Sequence, residues 1–167
     1  MVGKSKDKKR VKIIPLIISI GIPLFGGRLT SLLTPNIKLI YGDLVKPSFF
    51  PPSIVFPITW TILYILMGIA SYKVYVLKYN NINVSSALFV YAIQLLLNFL
   101  WVFIFFGFKL YGLAFLELVL LVLFVMLTIK RFYKKAGKKV ALLLVPYLIW
   151  LIYAGVLNFF IWMLNEM

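Results

Sequence analysis

The chain has 167 residues, of which 63% are hydrophobic, 17% aromatic and only 13% charged, a balance that excludes an ordinary soluble domain and reads as an integral membrane protein. Its formal net charge of +14 would suggest nucleic acid in a soluble protein, but the bases stand at the ends of apolar segments, where membrane topology accounts for them and no nucleic-acid role is expected. Cysteine and histidine are both absent, which excludes disulfides, thiol chemistry, the common zinc sites and the usual histidine ligand of haem iron.

Met1 to Lys12 is a basic tail holding Lys4, Lys6, Lys8, Lys9, Arg10 and Lys12, expected to be disordered and cytoplasmic. The hydrophobic run that follows outlasts a signal peptide and has no clean small-residue cleavage site, so no cleavable leader is expected. Residues 13–33 form the first predicted span, interrupted by Pro15, Pro23 and the Gly26-Gly27 pair, which membrane helices tolerate when neighbours satisfy the freed backbone groups. Thr34 to Pro52 is the one long non-spanning stretch. Its prolines argue against a continuous helix, while the interleaved Ile37, Leu39, Tyr41, Leu44, Phe49 and Phe50 favour a packed lid over a free linker.

Residues 53–77, 85–106, 112–129 and 140–164 complete the expected spans, giving a single membrane domain over 13–165 without internal repeats. The tail, the second-to-third turn and the basic run Lys130 to Lys139 hold fourteen of the eighteen Lys and Arg. Only Arg28, Lys38, Lys46 and Lys109 fall on the other side. The positive-inside rule therefore puts the N-terminus in the cytoplasm and, with five spans, the C-terminus and the lid outside. The setting expected is a bacterial cytoplasmic membrane.

Polar groups kept within apolar spans are the functional signal in such a chain. The second span carries Trp60 and Tyr64 one turn apart, with Gly68 continuing that face. The third aligns Gln94, Asn98 and Trp101 at i, i+4 and i+7, and the fifth aligns Trp150, Ala154, Asn158 and Trp162 at successive i+4 steps. Three faces of this kind could enclose a flat apolar ligand, with rings stacking on it and amides and indole N–H groups fixing its orientation. Taken singly, each of these residues reads as interhelical glue or interface belt, and Trp162 is assigned to the belt. Glu117, the only acid within a span, is expected to make a structural hydrogen bond to a neighbouring helix. There is no nucleophile–base pair, phosphate loop or metal cluster in the pattern, so classical hydrolase, kinase and metalloenzyme chemistry is not expected.

Several motifs together resemble the TspO/translocator protein family of peripheral-type benzodiazepine receptors. Lys46-Pro47-Ser48-Phe49 with Pro51-Pro52 is similar to that family's entry to the second helix, with Phe49 in place of its tryptophan. Trp60-Thr61-Ile62-Leu63-Tyr64 with Met67-Gly68, Gln94 to Asn98 with Trp101 and Phe105-Phe106-Gly107, and Pro146-Tyr147-Leu148-Ile149-Trp150 with Ala154 and Val156-Leu157-Asn158 match its other signatures.

The resemblance implies an all-α bundle of five transmembrane helices, usually a homodimer, that binds porphyrins, haem and benzodiazepine-type drugs under the first loop without an obligatory cofactor. By matching position, Trp60, Gln94, Asn98, Trp150 and Ala154 would line the pocket, with Asn158 close by. Tyr41, Pro51, Tyr64 and Trp101 complete the expected binding set. Tetrapyrrole transport or regulation is the leading implication. A light- and oxygen-dependent porphyrin degradation relying on Trp60 and Trp150, or a ligand-responsive scaffold, are the alternatives. The cholesterol pattern would need a tyrosine and a base near 159–163, where this chain has Phe159, Phe160 and Met163, so sterol binding is not implied.

Overall fold

The structure, a computed structural model, describes residues 12–167, and the basic tail before Lys12 lies outside them. Helix α1 covers Ile13–Leu33, and a short α2 covers Ile37–Asp43 in the connection that follows. Helix α3 runs over Val55–Tyr75, α4 over Ser85–Val102, α5 over Tyr111–Ala136, α6 over Lys138–Ala141 and α7 over Val145–Asn165. Five segments are long and apolar enough to cross a membrane, and no strand occurs among the described residues. The 21 residues of α1 give a rod of about 32 Å, matching a hydrocarbon core of about 30 Å.

The helix ends have local causes. Pro57 and Pro146 fall in the first turns of α3 and α7, where a missing N–H costs nothing. Asn36 and Asn81, at φ 67° and 58°, take the left-handed turns that start α2 and end the helical stretch after α3. The sequence predicts an end to the fourth span at Ile129, with a basic loop beyond. Instead α5 continues to Ala136 and stops at Gly137, whose φ of 84° suits glycine. Lys and Arg are good helix formers, Lys134 and Lys135 sit favourably at the carbonyl end, and Phe132 is fully buried, so the basic run prolongs the helix.

Packing follows small residues and apolar faces. Helix α1 lies on α3 and α4, α3 also meets α4 and α5, and α5 bridges α4 and α7. Leu63, Met67, Ala70 and Val74 of α3 face Leu121 and Val125 of α5 and Tyr147 and Leu151 of α7 in the main core. A smaller cluster of Leu44, Ile104, Phe105, Tyr111, Ala114 and Ile161 closes the end nearest the α1–α3 connection. Helix α1 buries only Pro23 and Thr30, and its Ile14, Ile17 and Phe25 point outward, as lipid-facing residues do. It is held close because α3 offers Gly68, where a Cβ would lie 2.5 Å from the Ile20 Cα.

The two ends differ in charge. Lys12, Lys73, Lys78, Arg131, Lys134, Lys135, Lys138 and Lys139 gather where α3 turns into α4 and α5 into α6. Among the described residues the acids are elsewhere: Asp43 and Glu166 are at the end of the α1–α3 connection, and Glu117 is in α5.

Candidate functional site

Trp60 and Tyr64 stand one turn apart on α3 with ring centroids 5.4 Å apart. The Tyr64 hydroxyl donates to the Asn98 Oδ1 at 2.9 Å, and the Asn98 Nδ2 donates to the Tyr147 hydroxyl at 3.1 Å. One α4 amide thus joins phenols from α3 and α7, and all three side chains are buried. Trp60 meets the Tyr147 ring at 6.1 Å. Tyr147 is absent from the candidates drawn from spacing, although three residues before Trp150 and seven before Ala154 it falls on the same face of α7 as the Trp150–Ala154–Asn158 stripe. A chemical signal points the same way: a tyrosine deep in an apolar span needs a hydrogen-bond partner.

Trp150 does not stack on Trp60. Its ring meets Phe56 of α3 at 5.8 Å and Tyr153 at 5.6 Å, so each tryptophan touches an aromatic on the other's helix. The Trp150 Nε1 is buried and has no hydrogen-bond partner among the described residues. The same holds for the Oε1 of Gln94, a residue only 1% exposed, whose amide nitrogen lies 4.0 Å from the Met67 sulfur. Ala154 is half-buried, one turn beyond Trp150.

An aromatic ladder climbs from Trp150 into the connection. Phe56 meets Phe50 and Tyr41, each at 5.9 Å, and the Tyr41 hydroxyl donates to the Pro51 carbonyl at 2.8 Å. The Lys46 Nζ lies 4.5 Å over the Tyr41 ring. Burial, with the Tyr153 phenol in range, raises the Tyr41 hydroxyl above the ordinary phenol pKa. Phe56 was not anticipated as part of this assembly, although the other two rings lie in the predicted lid.

At the far end of the ladder Asn165 grips the connection. Its Oδ1 accepts from the Val45 N–H and its Nδ2 donates to the Val45 carbonyl, both at 3.0 Å. Asn165→Ala is expected to remove both bonds, at about 0.5–1.5 kcal/mol each. Hydrogen–deuterium exchange over residues 36–50 should then accelerate by roughly tenfold, with α3 to α5 unchanged. Unaltered exchange in that segment would show that the aromatic contacts alone hold it.

Trp101 and Asn158 are brought to each other. The Trp101 Nε1 donates to the Asn158 Oδ1 at 3.0 Å, and the Asn158 Nδ2 donates to the Tyr111 carbonyl at 2.8 Å. Both polar groups of Asn158 are satisfied, and the trio ties α4, α7 and the start of α5 together, while Trp101 stacks on Phe105 at 4.7 Å. Trp162 packs on Phe115 and over Gly112, where a Cβ would sit 2.6 Å from its indole nitrogen. The hydrogen bond expected of Glu117 is not made. Its two carboxyl oxygens are buried without a hydrogen-bond partner among the described residues.

Two clefts lie away from the tryptophans. One of about 300 Å³ is lined by Ile40, Asp43, Leu44, Lys109, Tyr111, Asn165 and Glu166. Here the Glu166 carboxylate caps α5, accepting the Tyr111 N–H at 2.7 Å and the Gly112 N–H at 3.0 Å. The other, of about 340 Å³, opens between α1, α3 and α4. Among the described residues no group of three or more His, Cys, Asp or Glu could hold a metal ion.

Comparison with known proteins gives a consistent set of likenesses. The model of the TspO/MBR family matches residues 19–163. The tryptophan-rich protein TspO of Chlorobaculum tepidum is 43% identical over 157 residues, 92% of this chain and 98% of that protein. The protein of the same name from Archaeoglobus fulgidus is 36% identical over 157 residues, 93% of this chain and 99% of that one. The translocator protein of Sus scrofa is 35% identical over 148 residues, 87% and 86% of the two chains.

Proposed function

We infer the function from a fixed premise, that this chain belongs to the TspO/MBR family and is an integral, multi-pass membrane protein. It is a receptor or carrier for porphyrins, haem and similar planar apolar molecules, including benzodiazepine-type drugs, acting in tetrapyrrole transport, regulation or stress response. The observation that carries this reading is the buried indole N–H of Trp150, without a partner among the described residues and set in an aromatic ladder beside the Trp60–Tyr64–Tyr147 cluster.

A flat ligand would enter between α3 and α7, displacing the Phe56 ring and lifting the connection as a lid. Trp60 and Trp150 would stack on its faces. The Trp150 N–H and the Gln94 carbonyl oxygen would take up its polar atoms. With no histidine or cysteine in the chain, a haem would be retained by stacking and shape, as cargo. The basic end would face the cytoplasm, which leaves the lid and the C-terminus on the opposite side. A homodimer is the oligomeric state proposed with this reading.

Titration of protoporphyrin IX into the purified chain should quench tryptophan fluorescence saturably. Trp60→Phe and Trp150→Phe should each weaken binding by roughly three- to tenfold, the loss of about one good stacking contact. Absence of saturation, or affinities identical to wild type in both variants, would overturn the assignment.

A further inference from the structure

We propose that the groove between α1, α3 and α4 at the basic end is a binding site for an anionic glycerophospholipid. One acyl chain lies in the groove, and the phosphate is held by Lys12 and Lys78. This inference does not depend on the porphyrin reading, because it concerns a different face of the bundle.

The groove encloses about 340 Å³ and is walled by Ile14, Ile18 and Ile22 of α1, Tyr75 of α3, and Leu88 and Tyr91 of α4. Its α1 wall is apolar and outward-facing, with Ile14 73% and Ile18 54% exposed, so a chain can enter sideways from the bilayer. At its floor is a polar atom that hydrocarbon would not satisfy. The Tyr91 side chain is only 7% exposed, and its hydroxyl has no hydrogen-bond partner among the described residues. Ser71, a side chain beside it that could accept its proton, lines the same groove and gives its own proton to the Gly68 carbonyl at 3.0 Å. The Tyr91 ring is stacked on Phe132 at 5.8 Å, so the hydroxyl is held where it is. A phenol held at the groove floor with no formed hydrogen bond can donate to an acceptor oxygen of the occupant.

Charge identifies that occupant. Tyr91 is six residues from the start of α4, about 9 Å along its axis, which puts it in the basic-end third of that span. Tyr75 leads from the groove to the surface, and its hydroxyl is bonded by the Lys78 ammonium. Lys78 and Lys12 both lie over the Tyr79 ring, with their ammonium groups 5.3 and 3.1 Å from its centre. Among the described residues no carboxylate lies at this end to neutralise them. Two ammonium groups at the mouth of an apolar groove, with a phenol donor on its floor, match one anionic phospholipid.

The full chain in nanodiscs of equal parts phosphatidylcholine and phosphatidylglycerol, doped with a spin-labelled form of either lipid, tests this by electron paramagnetic resonance. The immobilised component should favour the phosphatidylglycerol label by roughly tenfold. Lys12→Gln with Lys78→Gln should reduce the two labels to equality. Tyr91→Phe should reduce the immobilised fraction of both, and Ile18→Trp, a change at an exposed position, should abolish it. Equal immobilisation of the two labels by the wild-type chain, or a preference that survives Ile18→Trp, would overturn the proposal. So would rapid disulfide-linked dimer formation by Ile18→Cys in the same nanodiscs, which would put a second copy of the chain in the groove.

Discussion

Replacing Gly68 with leucine is expected to detach α1 from the bundle and to prevent recovery of folded protein. The Cβ of any residue at 68 would stand 2.5 Å from the Ile20 Cα and 2.8 Å from the Ser19 carbonyl oxygen, and both are main-chain atoms that cannot rotate aside. Even Gly68→Ala forces the two helix axes apart, at a cost of about 3 kcal/mol, the upper end for overpacking. At about 2–4 °C per kcal/mol this corresponds to a fall of roughly 10 °C in the melting temperature in detergent. Gly21→Ala on α1 is the control, since a Cβ there meets nothing within 4 Å. The two alanine variants melting together would refute the close approach. The effect should reach the site as well, because Gly27 of α1 presses on the Tyr64 ring, where a Cβ would come within 2.7 Å of Cζ.

The second large effect is expected at Asn98. Asn98→Leu leaves the Tyr64 and Tyr147 hydroxyls buried together without the amide between them. At about 1–2 kcal/mol for each stranded group the loss is roughly 2–4 kcal/mol, reduced toward the low end if the phenols re-pair, as membrane interiors often allow. Protoporphyrin affinity should fall by about tenfold or more, because Trp60 packs on both phenol rings. A thermodynamic cycle with Tyr147→Phe separates the pair from its surroundings. The double variant should be less destabilised than the sum of the singles by about 1 kcal/mol, and agreement within about 0.3 kcal/mol would mean no coupling. Asn158→Leu supplies the contrast. It breaks the tie between Trp101 and Tyr111 and should cost comparable stability, yet leave protoporphyrin affinity within about twofold, because neither of its bonds reaches the Trp60 cluster.

That contrast shows how far the sequence could be read. The five spans were visible because a bilayer demands about twenty apolar residues in a row, a signal that survives any detail of packing. The prolongation of α5 through Arg131 to Ala136 was not, since hydropathy marks the end of a lipid-facing stretch and is silent on whether the helix continues into water. Periodicity placed Asn98 and Trp101 on one side of α4, and Trp150 and Asn158 on one side of α7. It could not tell which part of each stripe faces α3 and which faces α5, because that depends on how the helices are rotated and tilted against each other. So Asn98 joins Tyr64 and Tyr147, whereas Trp101 and Asn158 join each other. That Glu117 has no partner among the described residues was hidden for the same reason: a lone acid in a span announces that it needs a partner, and only the packed bundle shows whether it has one.

The grip of Asn165 on the connection has an evolutionary corollary. The amide reads only the N–H and C=O of residue 45, and the valine side chain points outward, 55% exposed. Position 45 is therefore open to almost any substitution without loosening the clasp, and proline alone is barred, for want of its hydrogen. The side-chain chemistry of this position can change while the anchorage of the connection to the last turn of α7 stays constant.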